Sequence, residues 1–187
     1  MLATESGGHN MNGYNQRLAG WWFIGIARIT TGIMWLGETR WKLPWENYGA
    51  DPTNQLGSGL GYWLKNASDH PTFGWYKAFL DHVVLPNFHL FAFQIWLLET
   101  VIGITLVLGL FGRFGGLLGG LMSINLLIAL FKIEAWPWPY IFMICLNFIF
   151  FFTRAGRFIG IDQWLAPRVE PAARAGRKGA QVLAWLT

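Results

Sequence analysis

The chain has 187 residues, of which 53% are hydrophobic and only 13% charged, and it carries 12 Trp and 15 Phe. A soluble domain carries about 25% charged residues, so the composition excludes a disordered chain, a coiled coil and an ordinary soluble enzyme. The net charge of +4 fits the Lys/Arg excess of cytoplasmic segments in membrane proteins; no basic helix face or base-stacking motif points to nucleic acid.

A polar stretch, Met1 to Gln16, comes first. No small-residue cleavage pattern follows it, so the first apolar helix is expected to be retained and not removed as a signal peptide. Four segments approach the roughly 20 mostly apolar residues a spanning helix needs: about Leu18–Gly37, Phe88–Phe111, Phe114–Phe131 and Trp136–Thr153. Gly112-Arg113 separates the second from the third, and Lys132-Ile133-Glu134 the third from the fourth. Both connections are tight, which predicts antiparallel neighbours. The expected fold is all-α: an antiparallel four-transmembrane-helix bundle over 18–165, with a polar segment 1–17 before it, a long structured loop 39–87 between the first two helices, and a basic tail 166–187 after it.

With four spans both termini share a side with the Arg113 turn. That side holds Arg17, Arg113, Arg154, Arg157, Arg168, Arg174, Arg177 and Lys178; the other holds Arg40, Lys42, Lys65, Lys77 and Lys132. The excess predicts both termini in the cytoplasm; the chain is expected to be multi-pass in a prokaryotic cytoplasmic (inner) membrane.

The long loop opens on Trp41-Lys42-Leu43-Pro44-Trp45, suited to headgroup level, and Gly57–Gly61 reads as a flexible stretch. A short interfacial helix is predicted over Gly74–Leu85: Trp75, Phe79 and Val83 share one face, and Lys77 and Asp81 another. Asn66-Ala67-Ser68 matches a glycosylation sequon, a pattern common by chance. The tail from Pro167 is rich in Ala and Gly and is expected to be loosely ordered.

In the third span Gly112, Gly116 and Gly120 repeat every four residues, as do Gly115 and Gly119. Small residues at that spacing let helix backbones approach closely in lipid. Arg28 falls near the middle of the first span and Glu99 near the middle of the second. A charge at that depth costs about 2.5–3.5 kcal/mol on insertion scales, so the two are expected to pair or to line a polar cavity. Two readings stand: a structural ion pair that fixes helix register, or a catalytic pair at a site for a polar headgroup such as a quinone ring or a lipid head. Asn125 and Asn147, at comparable depth, either bond helix to helix or join that site. Trp35, Trp41, Trp45, Trp63, Trp75, Trp136 and Trp138 form an aromatic belt or line a pocket for a flat ring under the long loop. Glu38, Arg40 and Lys42 are hydrated interface charges or polar contacts of that pocket; Arg40 and Lys42 would also draw in a small anionic substrate.

No metal site is expected. The lone Cys145 excludes a disulfide framework, a Cys-pair redox centre and a Cys-based zinc or iron–sulfur site. Of His9, His70, His82 and His89, only His89 is near a span, which does not suit haem. No phosphate loop, Ser/His/Asp set or calcium loop is present.

Arg28 followed by Gly32 and then Lys42, Glu99-x-x-x-Gly103, the Gly109–Arg113 turn and Gly156-Arg157-Phe158-Ile159-Gly160-Ile161-Asp162 together resemble the DoxX/DoxD family. The resemblance spans about Arg17 to Leu165, and the long first outer loop is more similar to the DoxD branch. The resemblance implies a small four-helix membrane protein, and for DoxD the larger, polytopic subunit of a thiosulfate:quinone oxidoreductase that works with a second subunit. It implies no catalytic residue set. The expected function is a membrane subunit that passes electrons from thiosulfate to quinone, with Arg28 and Glu99 at the quinone oxygen. The alternatives are a non-catalytic accessory or scaffold subunit of a larger redox or photosynthetic complex and, with no repeat or broken helix to support it, a small-solute transporter.

Overall fold

The computed structural model describes residues 8–49, 58–133 and 136–187. The N-terminal residues 1–7, Gly57 of the expected flexible stretch and Glu134 of the third turn lie outside the described residues. The described chain is all-α. Helix α1 runs Gly8–Thr39, α2 Gly59–Asp69, and α3 Gly74–Phe79, continuing as a π turn through Val84. Then follow α4 Phe88–Leu108, α5 Gly112–Leu130, α6 Trp138–Thr153, α7 Asp162–Arg174 and α8 Lys178–Leu186. Two of them, α4 and α5, are long and apolar enough to cross a membrane; α6 is apolar but shorter.

Turn chemistry sets the boundaries. Helix α4 ends at Gly109, whose φ of 62° is the left-handed conformation in which helices commonly stop. Helix α6 starts behind Pro137, with proline in its first turn, where the missing N–H costs nothing; it ends at Arg154, also left-handed. The long helices pack in the cyclic order α1, α4, α5, α6, and α1 meets α6 far less than the other neighbours meet.

Close helix approach fixes the register. At Gly32 an added methyl would lie 2.7 Å from the Val107 backbone N and 2.9 Å from the Gly103 oxygen. At Gly116 it would lie 2.7 Å from Phe151 N and 2.8 Å from Asn147 O. The glycines therefore bring α1 onto α4 and α5 onto α6 backbone to backbone, the geometry expected of small residues in apolar bundles. The bundle core joins Trp35, Ile102, Leu106, Met122, Phe150 and Ala155.

The segment between α1 and α4 folds back over one end of the bundle. Tyr76, Leu80 and Val84 pack with Ala67 and Ala129, and Tyr48 and Leu60 pack with Ala92. The helix expected over Gly74–Leu85 is present, and its Lys77–Asp81 pair closes at 2.8 Å. The neighbouring donors Lys77 and Ser68 hold the Asp81 carboxyl below its usual range. The expected flexible stretch Gly57–Gly61 is corrected in part: α2 begins at Gly59. Its apolar face, with Leu60 and Ala67 buried, organises it against the bundle.

The tail also differs from expectation. It forms α7 and α8 although α7 contains Pro167 and Pro171. Apolar residues on α8 anchor it: Trp185 stands edge-on to Phe151 at 6.2 Å, and the Arg113 guanidinium lies over both rings. The Arg157 Nε–H donates to the Thr187 oxygen at 3.0 Å.

Candidate functional site: a cavity beneath the long loop

At the looped end of the bundle, a cavity of about 420 Å³ lies between the long helices and the segment folded over them. Helix α1 contributes Met34, Trp35 and Glu38; α2 contributes Trp63 and Leu64; α3 contributes Tyr76. From α4 come Ile95 and Glu99, from α5 Met122, Asn125 and Leu126, and from α6 Tyr140 and Met143; Lys42 reaches in from the segment after α1. The wall is mostly apolar and aromatic, with a few polar groups converging on it, the usual make-up of a small-molecule pocket.

Those polar groups form a connected string. The Lys42 ammonium donates to both Glu99 carboxylate oxygens, at 2.7 and 2.8 Å. Both side chains are out of solvent, at 6% and 1% exposure. Lys42 also lies 4.6 Å from the centre of the Trp41 ring, whose Nε1–H donates to Glu38 at 3.1 Å. Glu38 is exposed, so the string runs from the surface to a buried carboxylate. Across the cavity the Tyr76 hydroxyl donates to Asn125 Oδ1 at 3.1 Å. Burial pushes this phenol up to about 12, with the hydrogen bond to Asn125 acting the other way.

Trp35 is 1% exposed, and its indole Nε1–H has no hydrogen-bond partner among the described residues. A buried donor left unmade costs about 1–3 kcal/mol. A ligand oxygen in the cavity is the kind of acceptor that would satisfy it. Donor, ion pair and apolar walls together fit a flat ring bearing carbonyl oxygens.

The expected pairing of Arg28 with Glu99 is corrected. Arg28 is fully buried but donates to backbone carbonyls: Leu106 and Val107 at the end of α4, and Phe158 and Ile159, the last at 3.0 Å. Leu106 is seven residues beyond Glu99, about 10 Å along the axis at 1.5 Å per residue. The contact of Gly32 with Gly103 sets this register, sliding Arg28 away from the middle of α4 and toward its end. There Arg28 belongs to a clasp between loops. Asp162 accepts from the Phe111 N–H at 2.9 Å and the Gly112 N–H at 2.8 Å, capping α5 from a distant part of the chain. Burial pushes the Asp162 carboxyl up, while those two N–H groups and the nearby Arg28 hold it down. The backbones of Gly109, Gly112, Gly156 and Gly160 touch so closely that methyls on them would clash.

Other expected site residues divide. Trp35, Lys42, Glu99 and Asn125 line the cavity; Arg28 and Asn147 do not, and Arg40 lies exposed outside it. Asn147 is buried, donates to the Met143 carbonyl at 2.8 Å, and packs on Gly119. Trp45, Trp75, Trp136 and Trp138 are exposed, whereas Trp35, Trp41 and Trp63 line the cavity. Sequence reading missed Tyr76 and the capping role of Asp162. The signal for the latter was present: one acidic residue closing a Gly-rich run with no basic partner in helical register. Among the described residues, no group of three His, Cys, Asp or Glu side chains is placed to hold a metal ion.

The two apolar helices of membrane length, α4 and α5, suggest membrane association for this all-α chain. The family model described as the small subunit of thiosulfate:quinone oxidoreductase, DoxD, matches residues 23–177. The chain belongs to the DoxD family. That description makes it the small subunit, which corrects the expectation of the larger one. No curated protein and no solved structure matches this chain.

Proposed function

We propose that the protein is the quinone-facing membrane subunit of a thiosulfate:quinone oxidoreductase, and that the cavity beneath the long loop holds the quinone ring. The observation that carries this reading is the unpartnered Trp35 Nε1–H in a cavity that also holds the buried Lys42–Glu99 pair, in a chain of a family described by its quinone chemistry. Helices α1, α4, α5 and α6 would each cross the prokaryotic cytoplasmic membrane, antiparallel, with both termini cytoplasmic and the looped end outside. The Lys/Arg distribution supports that orientation.

When bound, a quinone accepts two electrons and two protons. Trp35 orients the ring by donating to one oxygen. Lys42 presents an ammonium proton within the same cavity, and Glu99 holds that ammonium in place through two short bonds. Glu38, exposed and bonded to Trp41 beside Lys42, offers a carboxylate through which a proton is replaced from outside. Met122, Leu126 and Met143 keep bulk water from the ring. Thiosulfate would deliver its electrons through the partner subunit that a small subunit implies.

The test is quinone reduction driven by thiosulfate, using the chain copurified with its partner subunit. Trp35→Phe is expected to raise KM for quinone about tenfold, the loss of one hydrogen bond of roughly 1.4 kcal/mol. Lys42→Met is expected to lower kcat. Unchanged kinetics in both variants would overturn the reading.

A further inference from the structure

We infer that the quinone reaches this cavity sideways from the bilayer, through the seam between α1 and α6, and that its tail stays in that seam; this rests on the reading of the cavity as a quinone site. Helices α1 and α6 are the least joined neighbours in the ring of long helices. Toward the Asp162 clasp, Ile24 and Ala27 of α1 and Phe150 of α6 join the same apolar core. At the other end the two helices frame the cavity instead, with Met34 and Glu38 on one side and Tyr140 and Met143 on the other.

Polarity along this opening changes with depth. Glu38 sits next to the end of α1 at Thr39, whereas Met34 is one turn deeper and 57% exposed. The headgroup-level side of the opening is therefore acidic, and its deeper side is apolar and flexible. A water-soluble substrate would find the acidic side; a prenylated ring finds thioether and aromatic walls at the depth where its tail lies. Methionines suit such a lining because unbranched thioethers adapt to a passing chain. Met34 and Trp35 line the same cavity. Ring in the cavity and tail between α1 and α6 thus use one continuous path, and the ligand class it selects is a lipid-tailed quinone.

The experiment uses the full chain in nanodiscs with a benzoquinone whose isoprenoid-like tail carries a diazirine next to the ring. After illumination, labelled peptides are mapped by mass spectrometry, with and without excess ubiquinone-10 as competitor. Label that is competed and falls within residues 33–38 and 138–146 supports the proposal. Competed label on the segment 58–85, or on the outward faces of α4 and α5, overturns it while leaving the cavity reading intact. Absence of any competed label overturns both. As a second measurement, Met34→Cys is made with Cys145→Ser, which removes the exposed native thiol, and a bulky maleimide is attached after folding. The adduct is expected to weaken ubiquinone-10 binding at least tenfold and to weaken tail-less ubiquinone-0 by less than threefold. Equal effects on both ligands, or none on ubiquinone-10, would count against a tail in the seam.

Discussion

Replacing Lys42 by Met removes one half of an ion pair whose partner, Glu99, is 1% exposed. The carboxylate that remains is out of bulk solvent, so its two lost bonds, 2.7 and 2.8 Å in the native protein, are not fully replaced. Breaking a buried pair from one side costs about 3–5 kcal/mol, whereas replacing both members by apolar groups of similar volume is often neutral or stabilising. Lys42→Met alone is therefore expected to lose about 3–5 kcal/mol, and Lys42→Met with Glu99→Leu to recover most of it. The cycle of the two single variants and the double variant, measured by reversible unfolding in mixed micelles, should show a coupling of about 2–3 kcal/mol. The same cycle between Arg28→Met and Glu99→Leu should be additive to within about 0.5 kcal/mol, because Arg28 is bound to carbonyls at the far end of α4. Additive effects for Lys42 and Glu99, or strong coupling between Arg28 and Glu99, would refute the assignment of charges.

Three further outcomes follow from the geometry. Gly32→Val would drive a side chain into the Val107 backbone N, 2.7 Å from an added Cβ; overpacking of this kind costs about 1–3 kcal/mol and should appear as a lower midpoint in thermal unfolding, with Gly37→Val, where an added methyl meets nothing, as the near-neutral control. Asp162→Ala leaves the Phe111 and Gly112 N–H groups without their acceptor, so hydrogen exchange at the start of α5 should quicken by at least tenfold, while exchange in α3 stays unchanged. Tyr76 should resist ionisation in a spectrophotometric titration until pH about 12; since its folded value is raised above the ordinary 10, its contribution to stability is complete below pH 10 and is lost as pH rises through 12. Tyr76→Phe should remove that late step from the titration.

Much of the fold was legible because apolar run length and helical periodicity are local properties. The helices α4, α5 and α6, the glycine stripes of α5 and the two faces of α3 all follow from spacing alone. The charge pairing was not legible. Depth was read from the midpoints of apolar runs, but register depends on where two backbones touch, and the contact of Gly32 with Gly103 joins residues far apart in sequence. Lys42 looked like a headgroup-level charge because it follows the end of α1; it is long enough to reach back to Glu99. Helices α2, α7 and α8 escaped notice for a related reason: each is too short to announce itself by an apolar run, and α2 and α8 are held by partners elsewhere, Leu60 by Ala92 and Trp185 by Phe151. Of the candidate site, Trp35, Lys42, Glu99 and Asn125 were recognisable as polar or aromatic residues in apolar surroundings, whereas Tyr76 was hidden in the segment that folds over the cavity.

In the proposed function a quinone ring lies against Trp35 and Lys42. The most direct measurement is a structure of the chain in lipid nanodiscs loaded with ubiquinone-10. Ring density is expected within hydrogen-bond distance of Trp35 Nε1, beside Lys42 and inside the cavity under the long loop. A ring bound elsewhere on the protein, with Trp35 Nε1 bonded to a water or to another side chain, would contradict it.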